Sequence, residues 1–432
     1  MNNQAGLSFD QAPPFTVPLR LFLTAPAFLL VASLLVIFAP ESLSSRWTPQ
    51  ALALTHALTL GFLAMVMIGA LMQMLPVVAG AVIPAARMVA WFTHLPMTAG
   101  TAVLMTGFLN ADAGYLASGA ALLATGFAVF LAASSVSLMR AASNDTVNGI
   151  RLAVISLLSA AMLGLALALM RAGFWPLAEA KTAITAHIAF SLLGWVLLLV
   201  IGVAYQVVPM FQITPPYPPR LVRWLAVALF VFLTAHATAP LLPHELATLI
   251  SPMADFGLAT GILMFAVATL QLQSHRRRKL PDVTLDFWRL GMVSLIACVL
   301  VWLSGLIWRE WAASEIYPML LGVLFIGGFA ISVVNGMLYK IVPFLAWFHL
   351  QAQQQAKAGT IPNMKQMISE RWMRLQFRFH LAACLLLAAS VFHPVTFSMA
   401  AGVMLVLSAL LLWINLIAAA RQYARHGGRF VW

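Results

Sequence analysis

The chain has 432 residues, 62% of them apolar and only 8% charged, with a formal net charge of +12. Soluble globular domains carry about a quarter charged residues, so this composition excludes a water-soluble enzyme or binding module of this length. A charge of +12 would point to nucleic acid in a soluble protein, and its placement along the chain decides against that here.

Apolar stretches close to or above the roughly 18–20 residues that cross a bilayer recur throughout. They predict spans near 20–40, 50–79, 88–109, 113–138, 152–172, 183–211, 222–242, 247–272, 287–308, 317–345, 376–392 and 396–419. The expected fold class is an all-α integral membrane protein of about twelve transmembrane helices. The polar first stretch runs straight into a full-length span, so no cleavable signal peptide is expected. With the N-terminus inside, the inner segments carry Arg20, Arg87, Arg140, Arg151, Arg220, Arg223, Arg276-Arg277-Arg278-Lys279, Arg289, Lys357, Lys365, Arg371, Arg374, Arg378, Arg421, Arg425 and Arg429. The other face has Arg46, Arg171, Lys181 and Arg309. That asymmetry follows the positive-inside rule. It predicts a bacterial inner (cytoplasmic) membrane protein with both termini cytoplasmic, its basic clusters facing lipid headgroups and not nucleic acid. Cys298 and Cys384 fall inside spans, so neither a disulfide nor a cysteine metal cluster is expected. The longest connector, 346–374, contains Gln351-Ala352-Gln353-Gln354-Gln355 and is expected to be a solvated cytoplasmic loop.

Comparison of the chain with itself shows a repeated motif. The second span reads Gly61-Phe62, Gly69, Gln73, Pro76; the sixth reads Gly194-Trp195, Gly202, Gln206, Pro209; the tenth reads Gly328-Phe329, Gly336, Lys340, Pro343. The internal spacing is identical, and successive copies start 133 and 134 residues apart with four spans in each period. The chain therefore divides into 1–145, 146–280 and 281–432, three diverged four-helix units, the last with the connector 346–374. Glycines two turns apart let a neighbouring backbone approach closely. The proline frees a carbonyl one turn back, near which the glutamine or lysine offers a donor. Packing is the expected role of these positions. Lys340 is the exception, a charge where glutamine stands in the other copies, either snorkelling to the surface or lining a proton or substrate path with Gln73 and Gln206.

Two copies carry a histidine ahead of the motif, His56 and His187, while the third offers Leu321 or Val323 at those offsets. Both histidines are expected about 8–12 Å below the outer surface at 1.5 Å per residue, with His236 of the seventh span at similar depth. Neutral imidazole is a common ligand of haem iron and copper. The competing reading is a buried histidine satisfied by a carbonyl or water. His94 and His380 are expected in interfacial or packing roles, and His275, His349 and His426 in solvent. Asp255 in the eighth span is a candidate proton relay or a merely hydrated carboxylate. Met65, Met67, Met72 and Met74 are expected to be packing residues and not copper ligands.

Twelve helices in three arcs of four, with His56 near the outer end of the second span and His187 in the sixth, resemble subunit I of the haem–copper oxidases and nitric oxide reductases. The segment His56 to Pro76, with Gly61-Phe62 and Gly69, also resembles the first repeat of the NnrS family of haem- and copper-associated membrane proteins linked to nitric oxide and denitrification. The resemblance implies that His56 matches a haem ligand and His187 a copper ligand. The tenth span has no histidine, His236 stands between Ala235 and Ala237 where an adjacent pair of histidines would be needed, and Ser191 stands one turn after His187 where many oxidases have tyrosine. A standard binuclear centre is therefore not expected, nor is conventional terminal oxidase activity.

Three functions follow as alternatives. The first is a redox, sensing or maturation protein that binds haem b or copper through His56 and His187, with His236 as an alternative copper ligand beside His187, and that works with respiratory or denitrification proteins. The second is a transporter or channel that kept the fold and lost the metals, and the third an assembly partner of a respiratory complex.

Overall fold

The computed structural model describes residues 12–176, 178–277, 280–353 and 361–431. Arg278, Lys279, Gln354, Gln355 and Lys357 lie outside the described residues. Among the described residues, twelve helices are long and apolar enough to cross a membrane. They are α1 (Thr16–Phe38), α2 (Pro49–Val77), α3 (Ala86–Asn110), α4 (Ala113–Arg140), α5 (Asp145–Arg171), α6 (Ala180–Gln212), α7 (Pro219–Leu241), α8 (His244–Ser274), α9 (Val283–Ile307), α10 (Ile316–Gln353), α11 (Glu370–Phe392) and α12 (Pro394–Arg425). No strand occurs among the described residues. The architecture is that of a multi-pass membrane protein, in which apolar helices close their own backbone hydrogen bonds because hydrocarbon offers none.

Polar residues placed just ahead of the apolar runs start several helices. Thr48 accepts from Ala51 N (3.1 Å), Asp112 from Tyr115 N (2.8 Å), Asn144 from Val147 N (2.8 Å) and Asp282 from Thr284 N (3.0 Å). Each cap satisfies one of the free N–H groups in the first turn.

In α2, α6 and α10 the regular ladder gives way to π-helical turns, over Ala57–Ala64, Phe190–Leu197 and Val323–Ile331. Each stretch contains the glycine–aromatic pair of the motif. A Cβ added to Gly61 would lie 2.3 Å from the Phe28 ring of α1, one at Gly194 2.5 Å from Ser156 of α5, and one at Gly328 2.5 Å from Ser294 of α9. The second glycines press on the same neighbours: Gly69 on Leu21 and Phe22, Gly202 on Gly149, and Gly336 on Phe287. Each motif helix is thus seated on the helix before it, and its aromatic partner is buried. The three motif helices also meet around an apolar cavity of about 60 Å³, with Met67 and Met74 from α2, Val203 from α6 and Met337 from α10 in its wall. Met67 and Met74 serve there as packing, as the sequence suggested.

Expectations about the connector, His349 and Arg20 need correction. The connector was expected to begin at 346, but α10 continues to Gln353 because Ala346 and Leu350 are fully buried along it. Beyond it a turn at Met364–Gln366, capped by Asn363, leads into Met367 and Ile368, both buried. The described part of the connector is therefore packed and not simply solvated. His349, expected in solvent, is stacked on Phe15 with ring centroids 5.9 Å apart. Arg20, read as a charge at the membrane surface, lies inside α1 and is buried, with its guanidinium 4.1 Å from the centre of the Trp91 ring.

Backbone approach separates two kinds of glycine. A Cβ at Gly149 would sit 2.9 Å from Gly202 Cα, whereas one at Gly327 would meet nothing within 4 Å. Gly149→Ala is expected to destabilise the protein by about 1–3 kcal/mol, the usual range for overpacking, and Gly327→Ala to leave it unchanged. Thermal midpoints of the purified protein measure both.

Candidate functional site

The site forms where α2 and α6 face each other. His56 lies seven residues into α2 and His187 seven residues into α6, about 10 Å from the helix starts at 1.5 Å per residue. His56 Nδ1 lies 2.7 Å from Leu52 O, one turn back in its own helix. His187 Nδ1 lies 2.9 Å from Ala160 O of α5. A carbonyl only accepts, so in the neutral rings Nδ1 donates and Nε2 keeps the lone pair. The two rings come together with centroids 6.5 Å apart and planes 14° from parallel.

Other groups hold this pair in place. Phe108 of α3 lies 5.0 Å from the His56 ring, and the Arg171 guanidinium of α5 lies 5.9 Å from the Phe108 ring. Gly164 of α5 makes room for His187, since a Cβ there would stand 2.9 Å from the ring's Cε1. Backbone carbonyls on Nδ1 are the partners that orient metal-ligating imidazoles and raise their basicity. Two metal–nitrogen bonds of about 2.0 Å each, with the half-widths of two rings, span roughly 6 Å, close to the separation seen. Among the described residues no group of three or more His, Cys, Asp or Glu converges on a point that could hold a metal ion. The donor set is thus a pair of neutral imidazoles. It suits a metal that brings its other ligands with it or needs only two.

The remaining candidates lie elsewhere. His236 Nδ1 is bonded to Asp255 Oδ1 at 2.6 Å, a pair between α7 and α8 with side-chain exposures of 29% and 31%. The ring contact of His187 is with His56, and the hydrogen bond of His236 goes to Asp255. Gln73 is buried, with no partner for its Oε1 among the described residues, and Gln206 is half-buried. Lys340 Nζ contacts Asp282 Oδ2 at 2.8 Å, so the motif lysine reaches the cap of α9. His94 Nε2 meets Thr24 Oγ1 at 2.8 Å, and His380 Nε2 meets Ser332 Oγ at 2.8 Å.

Sequence reasoning named both histidines of the pair and missed their setting. Phe108 and Gly164 carry no signal in a single sequence, because one more aromatic or glycine in an apolar helix is unremarked. Arg171 reads in the sequence only as a charge on the outer face. Asp282 could have been found, being the carboxylate that precedes the ninth apolar run.

The Lys340–Asp282 pair makes stability depend on pH. Burial pushes the Asp282 carboxyl up, but the Lys340 ammonium and hydrogen bonds from Lys340 and Thr284 bring it below its ordinary value. A carboxyl lowered by folding stabilises the folded state above the ordinary value of 3.8 and loses that contribution as pH falls through the folded value. Asp282→Asn is therefore expected to cost about 1–2 kcal/mol at neutral pH, less than a fully buried pair because both partners are partly exposed. The deficit should close as the medium is acidified below roughly pH 4. Thermal midpoints of both proteins across pH would check it. Comparison of the chain with protein-family models and with curated protein sequences returns no match.

Proposed function

We propose that this chain is a divergent relative of the haem–copper oxidase subunit I architecture, built from three four-helix units, that holds haem b or copper between His56 and His187. The observation that carries the reading is the pairing itself. Two histidines in separate helices, 131 residues apart in sequence, face one another nearly parallel, each with Nδ1 occupied by a carbonyl. Two neighbouring rings, each with its Nδ1 on a carbonyl and a lone pair left on Nε2, form a donor pair that packing alone does not require.

The recurrence of π-helical turns in α2, α6 and α10, each seated by glycines on the preceding helix, supports the three-unit reading. On that reading the cofactor lies between the first and second units near the outer face of a bacterial inner membrane, and both termini are cytoplasmic. Bound there, haem or copper would supply one-electron redox chemistry or a site for a small diatomic ligand. The chain's own residues bind and orient it: His56 and His187 offer Nε2, Leu52 and Ala160 fix the tautomers, and Phe108 limits access beside His56. Arg171 stands where it can balance negative charge. The role is redox, sensing or maturation in respiratory or nitric oxide metabolism, alongside other membrane proteins of that metabolism, and not conventional oxidase catalysis.

Purified protein supplemented with haem b and, separately, with copper tests this. A Soret band or stoichiometric copper is expected, and either is expected to disappear in His56→Ala and in His187→Ala. Absence of both from the wild-type protein would overturn the reading, and solute flux in proteoliposomes that survives both substitutions would then favour a transporter. A second variant leaves both ligands in place. Gly164→Ala pushes on the His187 ring and is expected to weaken cofactor binding by about 10–100-fold, the range for groups that orient a metal ligand. Titration of the apoprotein with haem or copper would measure it.

A further inference from the structure

The third group of helices contains a line of buried polar side chains with no part in the histidine pair. On α10 they are Ser332, Asn335 and Tyr339, spaced i, i+3, i+7 and therefore on one face. Opposite them on α11 stand Gln376 and His380, spaced i, i+4. Asn335 and Gln376 are 0% exposed and His380 is 1% exposed. Contacts fix the register: His380 Nε2 meets Ser332 Oγ at 2.8 Å, and Cys384 Sγ donates to Gly327 O at 3.6 Å. α11 thus runs antiparallel to α10, and both Asn335 and Gln376 lie about one turn beyond the Ser332–His380 contact, in the direction of Lys340.

Direct hydrogen bonds use only part of this polarity. Gln376 Nε2 donates to Ser408 Oγ of α12 at 2.8 Å, and Asn415 Nδ2 of α12 donates to Tyr339 OH at 2.9 Å. Left without a partner among the described residues are Asn335 Oδ1 and Nδ2, Gln376 Oε1 and His380 Nδ1. One amide donor and one amide acceptor on α10 lie at levels neighbouring an acceptor and a ring nitrogen on α11. Phe287 of α9 packs against both ends of the line, 6.1 Å from the Tyr339 ring and 5.5 Å from the His380 ring, and makes an apolar wall there. Buried polar groups of this kind are satisfied by internal water, which typically makes about three hydrogen bonds. An apolar ligand would leave these groups as costly as before.

We propose that α10, α11 and α12 enclose a binding site for a short file of internal water molecules between Asn335, Gln376 and His380. The file gives His380 contact with water inside an otherwise apolar bundle, the setting in which an intramembrane histidine exchanges protons. This inference is independent of any cofactor at His56 and His187.

Pulsed X-ray hydroxyl-radical footprinting of the full chain in lipid nanodiscs tests it, because radicals form from bound water beside the residues they label. Tyr339 and His380 are expected to be oxidised severalfold faster than Phe130 and Phe265, which are equally buried. Replacing the seam with hydrocarbon, in Asn335→Leu/Gln376→Leu, should lower labelling of Tyr339 and His380 to the level of those phenylalanines. Should that variant not fold, Asn335→Ala enlarges the space and is expected to keep labelling at or above the wild-type rate. Wild-type labelling of Tyr339 and His380 no faster than Phe130 would overturn the proposal. So would labelling that the leucines leave unchanged, or that falls to the phenylalanine level in Asn335→Ala.

Discussion

Within twelve apolar helices a polar group has no bulk water to turn to, and this constraint organises the chain beyond the helices themselves. Ser33, Thr98, Ser156 and Thr234 return their hydroxyls to a carbonyl one turn back. His94 and His380 take hydroxyl partners from facing helices. His56 and His187 likewise keep one nitrogen on a carbonyl. What sets them apart from the other histidines is that their rings lie beside each other, 6.5 Å between centroids.

The pairing also depends on an inequality in the motif. His56 precedes Gly61 by five residues and His187 precedes Gly194 by seven. These stretches are π-helical, with wider turns than an α-helix, so two further residues are about half a turn of rotation. Side chains at equal offsets on related helices would point the same way relative to the glycine face, and two such rings would not meet. The unequal offset turns one histidine toward the other while both glycine faces remain seated on α1 and α5. The ring contact is therefore compatible with close packing and does not compete with it.

How much of this was legible in the sequence varied with the length over which a signal is summed. Apolar runs of twenty residues announce spans, and a five-position motif at constant spacing announces α2, α6 and α10. The two histidines were legible because an imidazole in an apolar run is rare. Partners were not legible. Nothing local shows that Phe15 covers His349, since that contact joins segments far apart in the chain, and the rotation of two consecutive helices that brings His236 to Asp255 is not written in either apolar run. The end of α10 was misplaced because Gln351 and Gln353 look solvated, whereas Leu350 is buried and Gln353 Nε2 donates to Tyr423 OH at 2.9 Å. The polar line on α10–α12 was hidden for the opposite reason. Single polar residues spaced through apolar runs do not lower hydropathy enough to be noticed, and only the three-dimensional register shows that they share a face.

Lys340 shows how such a chain admits a charge. In α2 and α6 the corresponding residues are Gln73 and Gln206, which are neutral and can sit at this depth without a counterion. In α10 the lysine arrives together with an acid: α5 is capped by Asn144, but α9 is capped by Asp282, whose other oxygen meets Lys340. A lone ammonium there would carry an uncompensated desolvation cost, and a lone carboxylate would carry the same. Asp282 also keeps its capping bond to Thr284, so one side chain both starts α9 and neutralises α10. The two exchanges, amide to amine in the motif helix and amide to acid at the cap, make physical sense only together. A change in the motif residue is thus coupled to the start of the helix on which the motif packs.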